Sequence, residues 1–339
     1  METQSKKIAV LILNWNGRGL LERFLPSIVV HNSSEADIIV IDNASNDDSI
    51  SFLKDAYPTI QRIEFKVNYG FAKGYNKAIE LVPHEYVVLL NSDVRVTENW
   101  LQPPFEFMEY HSNYAACQPK ILDEKDPLKF EYAGACGGFI DAFGYPFCRG
   151  RIFETTEEDN GQYNDAVEVF WATGACIFVK AEAFWEVGGF DEEFFAHQEE
   201  IDLCWRLKNK GHKIMVEPSS TVYHVGGGTL DAGSPFKTHL NFRNNLKMLF
   251  KNLPLPSLFM VISMRLLLDG VAALTFLNKP KGIYHLFAVM KAHFAFYFAI
   301  PMLIAKRQKI NQKNNLVGKM GKSILVKNKL QGINNYSDL

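Results

Sequence analysis

The sequence predicts an α/β fold, a mostly parallel sheet wound with helices, carrying a helical extension at its C-terminal end. Three observations predict it. From residue 8 to about residue 121 short apolar runs alternate with helical patterns, which is the mark of βαβ units. After residue 250 the texture turns to long apolar stretches broken by few charges. The charge divides in the same region, since residues 241–339 hold 15 Lys and Arg against 2 Asp and Glu, leaving 21 against 36 in residues 1–240.

The elements follow in order. IAVLIL has only six consecutive apolar residues, Ile8 to Leu13, too few for the core of a signal peptide, and reads as a buried strand. GLLERFLPSIV is helical, DIIVID a strand, DDSISFLKDAY a helix, IQRIEFK a strand, FAKGYNKAIELV a helix and YVVLLN a strand. Residues 123–166 lack a sustained period and are rich in Gly, acids and aromatics, which predicts long loops and short antiparallel strands. VEVFWATG and ACIFVK return as strands, AEAFWEVGGF as a helix and turn, and HQEEIDLCWRLKNKGHK as a helix capped by Gly211. IMVEPSSTVYHVGGG closes the body as a strand and a glycine turn.

Ligands of such sheets sit outside the carboxyl ends of the strands. The residues that close these strands are polar: Asn14 and Asn16, Asp42 and Asn43, Asn68, then Asn91, Ser92 and Asp93. VIDNASNDDS enters its helix through good N-cap types, so Asp42, Asn43 and Ser45 suit either a nucleoside contact or a capped turn. NYGFAKGYN brings Gly70, Phe71 and Lys73 to a strand-to-helix passage where a backbone can approach a nucleotide closely. VVLLNSDV delivers Asp93 where a carboxylate is costly unless it has a partner, such as a hard divalent cation. His224, beside three glycines, is a second candidate ligand, and an imidazole with a carboxylate suits Mn2+ as well as Mg2+.

HQEEIDLCWR sets three acids within four residues. On a helix Glu199 and Asp202 share one side and Glu200 belongs to a neighbouring stripe, so the three acids cannot all serve one purpose. Acids in a first turn also complement the helix dipole, but the apolar residues that follow would desolvate one of them and make it a better base. Asp202 is spaced to pair with Arg206 at i+4.

Taken together, LILNWNG, VIDNASNDDS, NYGFAKGYN, LLNSDV, TGACIFVKAEAFWEVGGFDEEFF, EEIDLCWR and HVGGG resemble glycosyltransferase family 2, in particular its rhamnosyltransferase-like members, from Ile8 to about Thr229. The resemblance implies a GT-A fold, a dTDP- or UDP-sugar donor, a divalent metal and inversion at the anomeric carbon. It implies a GT-A domain over 1–240, with a nucleotide-binding half 1–121 and an acceptor and metal half 122–240. Asp42 matches the nucleoside-binding aspartate. Asp93 matches the last acid of the family's Asp-x-Asp element, whose first position is Asn91 here, so His224 gains weight as a metal ligand. Glu200 stands where the family carries its presumed catalytic base, with Glu199 as its rival. Trp171, Gly174 and Ala175, where VEVFWATG meets ACIFVK, are the candidate acceptor contacts.

Residues 241–305 are expected to form a membrane-associating helical region, and 306–339 a basic flexible tail. Leu258–Leu277 and Leu286–Ile304 approach the length of membrane spans, yet each contains charge: Arg265 and Asp269 in the first, Lys291 and His293 in the second. The cost of centring such charges in lipid favours helices lying at the interface over spans, a re-entrant hairpin or a soluble appendage. The expected place is the cytoplasmic face of the inner membrane, with an anionic lipid surface and a glycan or lipid-linked acceptor as partners. An acidic body does not suit nucleic acid, and five cysteines with no CxxC pair fit reduced thiols and exclude a zinc cluster. Two further readings stay open: a sugar-phosphate nucleotidyltransferase, and a catalytically silent nucleotide-sugar-binding scaffold, which Asn91 favours.

Overall fold

The computed structural model describes residues 6–32, 34–226, 233–278 and 280–339. Alternating apolar and helical segments form β1 (Ile8–Asn14), α1 (Arg18–Val30), β2 (Ala36–Asp42), α2 (Ser49–Ala56), β3 (Gln61–Glu64), α3 (Gly70–Ile79) and β4 (Tyr86–Asn91). Strands β3, β2, β1 and β4 lie side by side and parallel. The following elements are β5 (Val94–Val96), α4 (Gln102–Tyr110) and β6 (Tyr114–Asp123). Residues 123–166 form the short antiparallel strands expected of them: β7 (Gly138–Ile140), β8 (Pro146–Cys148), β9 (Arg151–Ile152) and β10 (Thr155–Thr156) make a separate four-stranded sheet.

The main sheet is completed by β11 (Val167–Val169), β12 (Cys176–Lys180) and, after α5 (Ala181–Glu186) and α6 (Glu199–Lys210), by β13 (Lys213–His224). Its order is β11-β13-β6-β12-β4-β1-β2-β3, with β5 paired to β13. Strand β12 runs antiparallel to both β4 and β6, whereas β13 lies parallel to β6. This reversal carries the chain's later residues back to the carboxyl ends of β1 and β4.

Period-two alternation feeds a core on each face of the sheet. Leu11, Ile39 and Leu89 pack towards α3 and α6, while Val10, Ile12, Val40 and Leu90 pack towards α1 and α4. Helix α6 ends at Gly211, whose φ of 110° suits a residue without Cβ.

The C-terminal extension contains α7 (Pro235–Asn252), α8 (Leu255–Phe276), α9 (Gly282–Arg307) and α10 (Ile324–Gln331). Helix α9 runs alongside α7, from a Thr238 to His285 hydrogen bond (2.8 Å) to one from Arg307 Nη1 to Phe250 O (2.7 Å). Arg265 of α8 stacks on Tyr145 at 3.8 Å and pairs with Asp269 at 3.0 Å, and His293 of α9 approaches Asp269 at 3.5 Å. Three of the four charge-bearing residues noted in the apolar stretches therefore face inward. The outward faces are apolar, with Phe259 84% and Phe298 85% exposed.

The segment 306–339 corrects an expectation, because it is a packed strap rather than a flexible tail. Met320 N donates to Ile140 O (2.8 Å), Ile324 N to Asp141 Oδ2 (2.9 Å) and Tyr336 N to Glu157 Oε1 (2.6 Å). Ile324 is buried, and the Tyr336 ring lies 5.2 Å from that of Phe139. Scattered apolar residues dock singly on the small sheet, so a polar average composition concealed them.

Candidate active site

Parallel register sets Asn14 beside Asp42 at the strand ends. Asn14 Nδ2 donates to Asp42 Oδ1 and to Ser45 Oγ, both at 3.2 Å, and Ser45 N donates to Asp42 Oδ2 at 3.0 Å. Asn16 joins the same network, its N–H donating to Ser45 Oγ (2.9 Å) and its Oδ1 accepting from Asn46 N (2.7 Å). Asn43 Nδ2 bonds Asn68 Oδ1 (2.9 Å) and Gly70 O (3.1 Å). Six of the predicted donor-side residues thus interlock with Gly70 into one rigid rim. Beside it Trp15 is 45% exposed, an aromatic face at a strand end that the motif reading passed over. Lys73 stands apart from the rim, pairing with Glu192 at 3.0 Å.

Asn91 closes β4 and Ser92 and Asp93 make the turn into β5, while pairing of β5 with β13 sets Val94 opposite His224. His224 Nε2 lies 3.1 Å from Asp93 Oδ1 and 3.5 Å from Asn91 Nδ2. On the other side of the ring Nδ1 makes an ion-pair contact at 3.2 Å with Glu131 Oε1, a residue absent from the sequence expectations. Burial pulls the imidazole pKa down, but the bonds to Asp93 and Glu131 outweigh it and raise the pKa to about 10. Among the described residues no three His, Cys, Asp or Glu side chains converge on a single metal position. The donor set nevertheless fits a divalent ion, because a carboxylate behind Nδ1 orients the ring, and Nε2, beside Asp93, would be the ligating atom once a cation displaced the proton that the raised pKa holds there. Of the glycine turn after His224, residues 227–229 lie outside the described residues.

The three acids of α6 separate, but Asp202 leaves Glu199, the neighbour its spacing assigns to the same side, and pairs with Arg206 instead, so that Glu199 and Glu200 stand together. Asp202 is fully buried, accepting from Arg206 Nε and Asn252 Nδ2, each at 2.8 Å, and pairing with Lys251 at 2.9 Å. Its role is structural. Glu199 is buried and Glu200 partly so, and one carboxylate oxygen of each, Oε2, is buried without a hydrogen-bond partner. Burial raises both carboxyl pKa values, that of Glu200 to about 7 against the pull of backbone amides, and the Glu200 charge raises that of Glu199 further. The raised values belong to the pair, which binds a proton more readily than two free carboxyls would and, on losing it, offers a desolvated carboxylate as a base.

Gly174 links this pair to the donor rim. A Cβ there would come 3.2 Å from Phe71 and 3.9 Å from Glu200 Cβ. Asn91 N donates to Ala175 O (3.0 Å), so the residue that leads from Gly174 into β12 ties the end of β4 to the same neighbourhood. Gly70, at φ 73°, lies so close beneath Phe195 that a Cβ would meet its ring at 2.7 Å. Trp171 corrects the acceptor expectation. Its indole is 3% exposed, donates to Phe139 O (2.9 Å) and covers Gly138, so it offers no surface to an acceptor. The segment entering α6 is strained: Phe195, His197 and Gln198 have φ of 66°, 70° and 73°. Such conformations in residues bearing a Cβ cost on the order of 1 kcal/mol or more each and gather at functional sites.

A parallel half with polar strand ends, a reversed strand pair and an acid-headed helix are the features of a GT-A glycosyltransferase. The chain belongs to that class through glycosyl transferase family 2, whose family model matches residues 9–188, more than half of its length. It is 25% identical over 218 residues to the N-acetylglucosaminyl-diphospho-decaprenol L-rhamnosyltransferase of Mycobacterium tuberculosis, covering 60% of this chain and 71% of that one. With the low-salt glycan biosynthesis hexosyltransferase Agl10 of Haloferax volcanii it shares 21% over 249 residues, 72% of this chain and 75% of that one. The mannosyltransferase PcManGT of Pyrobaculum calidifontis, solved with GDP-Man and Mn2+, has the same fold, with a TM-score of 0.54 at 14% identity over 91% of this chain and 80% of its own. GalNAc-T7, solved with UDP, GalNAc and Mn2+, gives 0.57 at 14% identity over 75% of this chain, which spans about half (49%) of that longer one. Family membership overturns the nucleotidyltransferase reading.

Proposed function

We propose that this glycosyltransferase moves a sugar from a nucleoside-diphosphate donor, dTDP- or UDP-linked and with rhamnose the leading candidate, onto a lipid-linked glycan with inversion at C1. The observation that carries the reading is the Glu199–Glu200 pair, desolvated, with unpartnered oxygens, one Gly174 away from the donor rim. Glu200 takes the proton of the acceptor hydroxyl as that oxygen attacks C1. The bond from C1 to the diphosphate oxygen breaks on the opposite face, and the diphosphate leaves with the electron pair. Asp42, with Asn14, Asn16, Asn43, Ser45 and Asn68, receives the nucleoside, while Gly70 and Phe71 bring backbone close to the phosphates. Asp93 and His224 would hold a divalent cation, Mn2+ or Mg2+, which when bound supplies charge neutralisation for the departing diphosphate.

The acceptor class in the mycobacterial relative's name, a sugar diphospho-polyprenol, suits the C-terminal helices. Helix α9 lies along α7 and α8 sits on Tyr145, so a bilayer crossing would drag the α/β body into the lipid. The exposed apolar band is better served lying in the plane of an anionic cytoplasmic membrane face. Incubation with a panel of nucleotide sugars and a diphospho-polyprenol acceptor in Mn2+ tests the reading. It expects nucleoside diphosphate and an inverted glycoside; a retained configuration, or no product with any donor that stabilises the protein, counts against it.

A further inference from the structure

Arg243, Asn244 and Asn245, consecutive on α7, all reach the strained segment that leads into Glu199. Asn244 is completely buried, and its Nδ2 lies 3.0 Å from Phe194 O, 2.9 Å from Ala196 O and 2.8 Å from His197 O. An amide nitrogen carries two hydrogens, so three carbonyls share them, and an acceptor or an apolar group in that place would leave Ala196 O and His197 O without a donor, while Phe194 O would keep those of Ala196 N and Arg243 Nη2. The amide cannot flip without loss, because its Oδ1 accepts from Arg243 Nε at 2.9 Å. Arg243 Nη2 adds bonds to Glu193 O (3.1 Å) and Phe194 O (3.0 Å), and Asn245 Nδ2 one to Gln198 Oε1 (3.3 Å).

The held segment is the one whose φ values at Phe195, His197 and Gln198 are positive. Within it the carbonyls of Phe194, Ala196 and His197 converge as a cup on the Asn244 amide, and a buried donor at its centre makes that geometry stable. Helix α6 has no side-chain cap of its own at Gln198, so the direction in which its first turn points depends on this cup. We propose that Asn244 is a positioning residue for the base, holding residues 194–198 in the conformation that aims Glu200 at the acceptor hydroxyl. The inference rests on the reading of Glu200 as the base. Nothing in the spacing of HLNFRNNLK distinguishes Asn244 from any polar helix residue; its role exists only in the tertiary contact.

The test uses the full chain as Asn244→Asp, which keeps the shape and loses the donor, and as Arg243→Ala, which removes the brace from a partly exposed position. Backbone hydrogen exchange, binding of UDP and dTDP with Mn2+, and steady-state transfer are measured on each. Expected are faster exchange confined to residues 194–202, unchanged nucleotide affinity, and a kcat lower by roughly ten- to a hundredfold for Asn244→Asp at nearly constant donor KM. The acidic limb of the pH–rate profile should move as well, since the surroundings of Glu200 change. Arg243→Ala should give the same signature in weaker form, and decides the matter if Asn244→Asp does not fold. Unchanged kcat in both variants, or loss of protection spread across the whole sheet, overturns the proposal. An inactive wild type would instead refute the transfer reading, and local exchange alone would then decide whether Asn244 holds the turn.

Discussion

Glu199 and Glu200 are neighbours in sequence and differ in consequence. Burial raises both carboxyl pKa values, and in the folded state both bind protons more tightly than in the unfolded chain. Their contribution to stability is therefore full below the unfolded carboxyl range and is lost as pH rises through the folded values. Glu199→Gln cannot ionise, so its melting temperature should match the wild type near pH 4 and exceed it increasingly towards pH 8, by roughly 2–4 °C for each kcal/mol recovered. Calorimetry across that range checks it; an advantage independent of pH would contradict the assignment. The division of the acids was legible because Asp202 and Arg206 are four apart on one helix. Glu131 was not, since it belongs to an aperiodic loop and meets His224 only through the fold. Trp171 misled for a related reason: an aromatic at the edge of a motif says nothing of the face its strand turns inward.

At the scale of elements, α7 is the layer between the α/β body and the exposed helices. One side of it holds Asp202 and the turn before α6, and the other carries α9. The apolar length of α8 and α9 and the i,i+4 pairing of Arg265 with Asp269 could be read directly. Their lie along the body could not, because it depends on which face of α7 is taken. Phe259, Leu267 and Phe298 are exposed on the outward surface. Their joint replacement by Glu should weaken flotation with anionic vesicles by more than about tenfold, given roughly 1.5–3 kcal/mol for each large apolar side chain withdrawn from water. Far-UV circular dichroism should stay unchanged. Equal flotation of the variant would show that the band does not seat in lipid. The strap 316–336 escaped prediction because single residues such as Ile324 and Tyr336 anchor it without any period.

For the molecule as a whole, alternating segments and polar strand ends made the parallel half legible from Ile8 to Asp93. The reversal at β12 and the return of β13 were less so, since strand pairing between distant segments leaves no local trace. That return brings His224 to Asp93, and the same reversal brings Gly174 between Phe71 and Glu200. In the proposed function the acidic front and basic back of the chain meet different partners, one reaching a diphosphate through a cation and the other facing an anionic surface. The account stands or falls on a proton acceptor at the head of α6. Steady-state transfer by Glu200→Gln, with donor binding followed in parallel, measures this directly. A kcat lower by about a hundredfold or more, with donor affinity within about twofold of the wild type, is the predicted result; near-normal turnover by Glu200→Gln would contradict it.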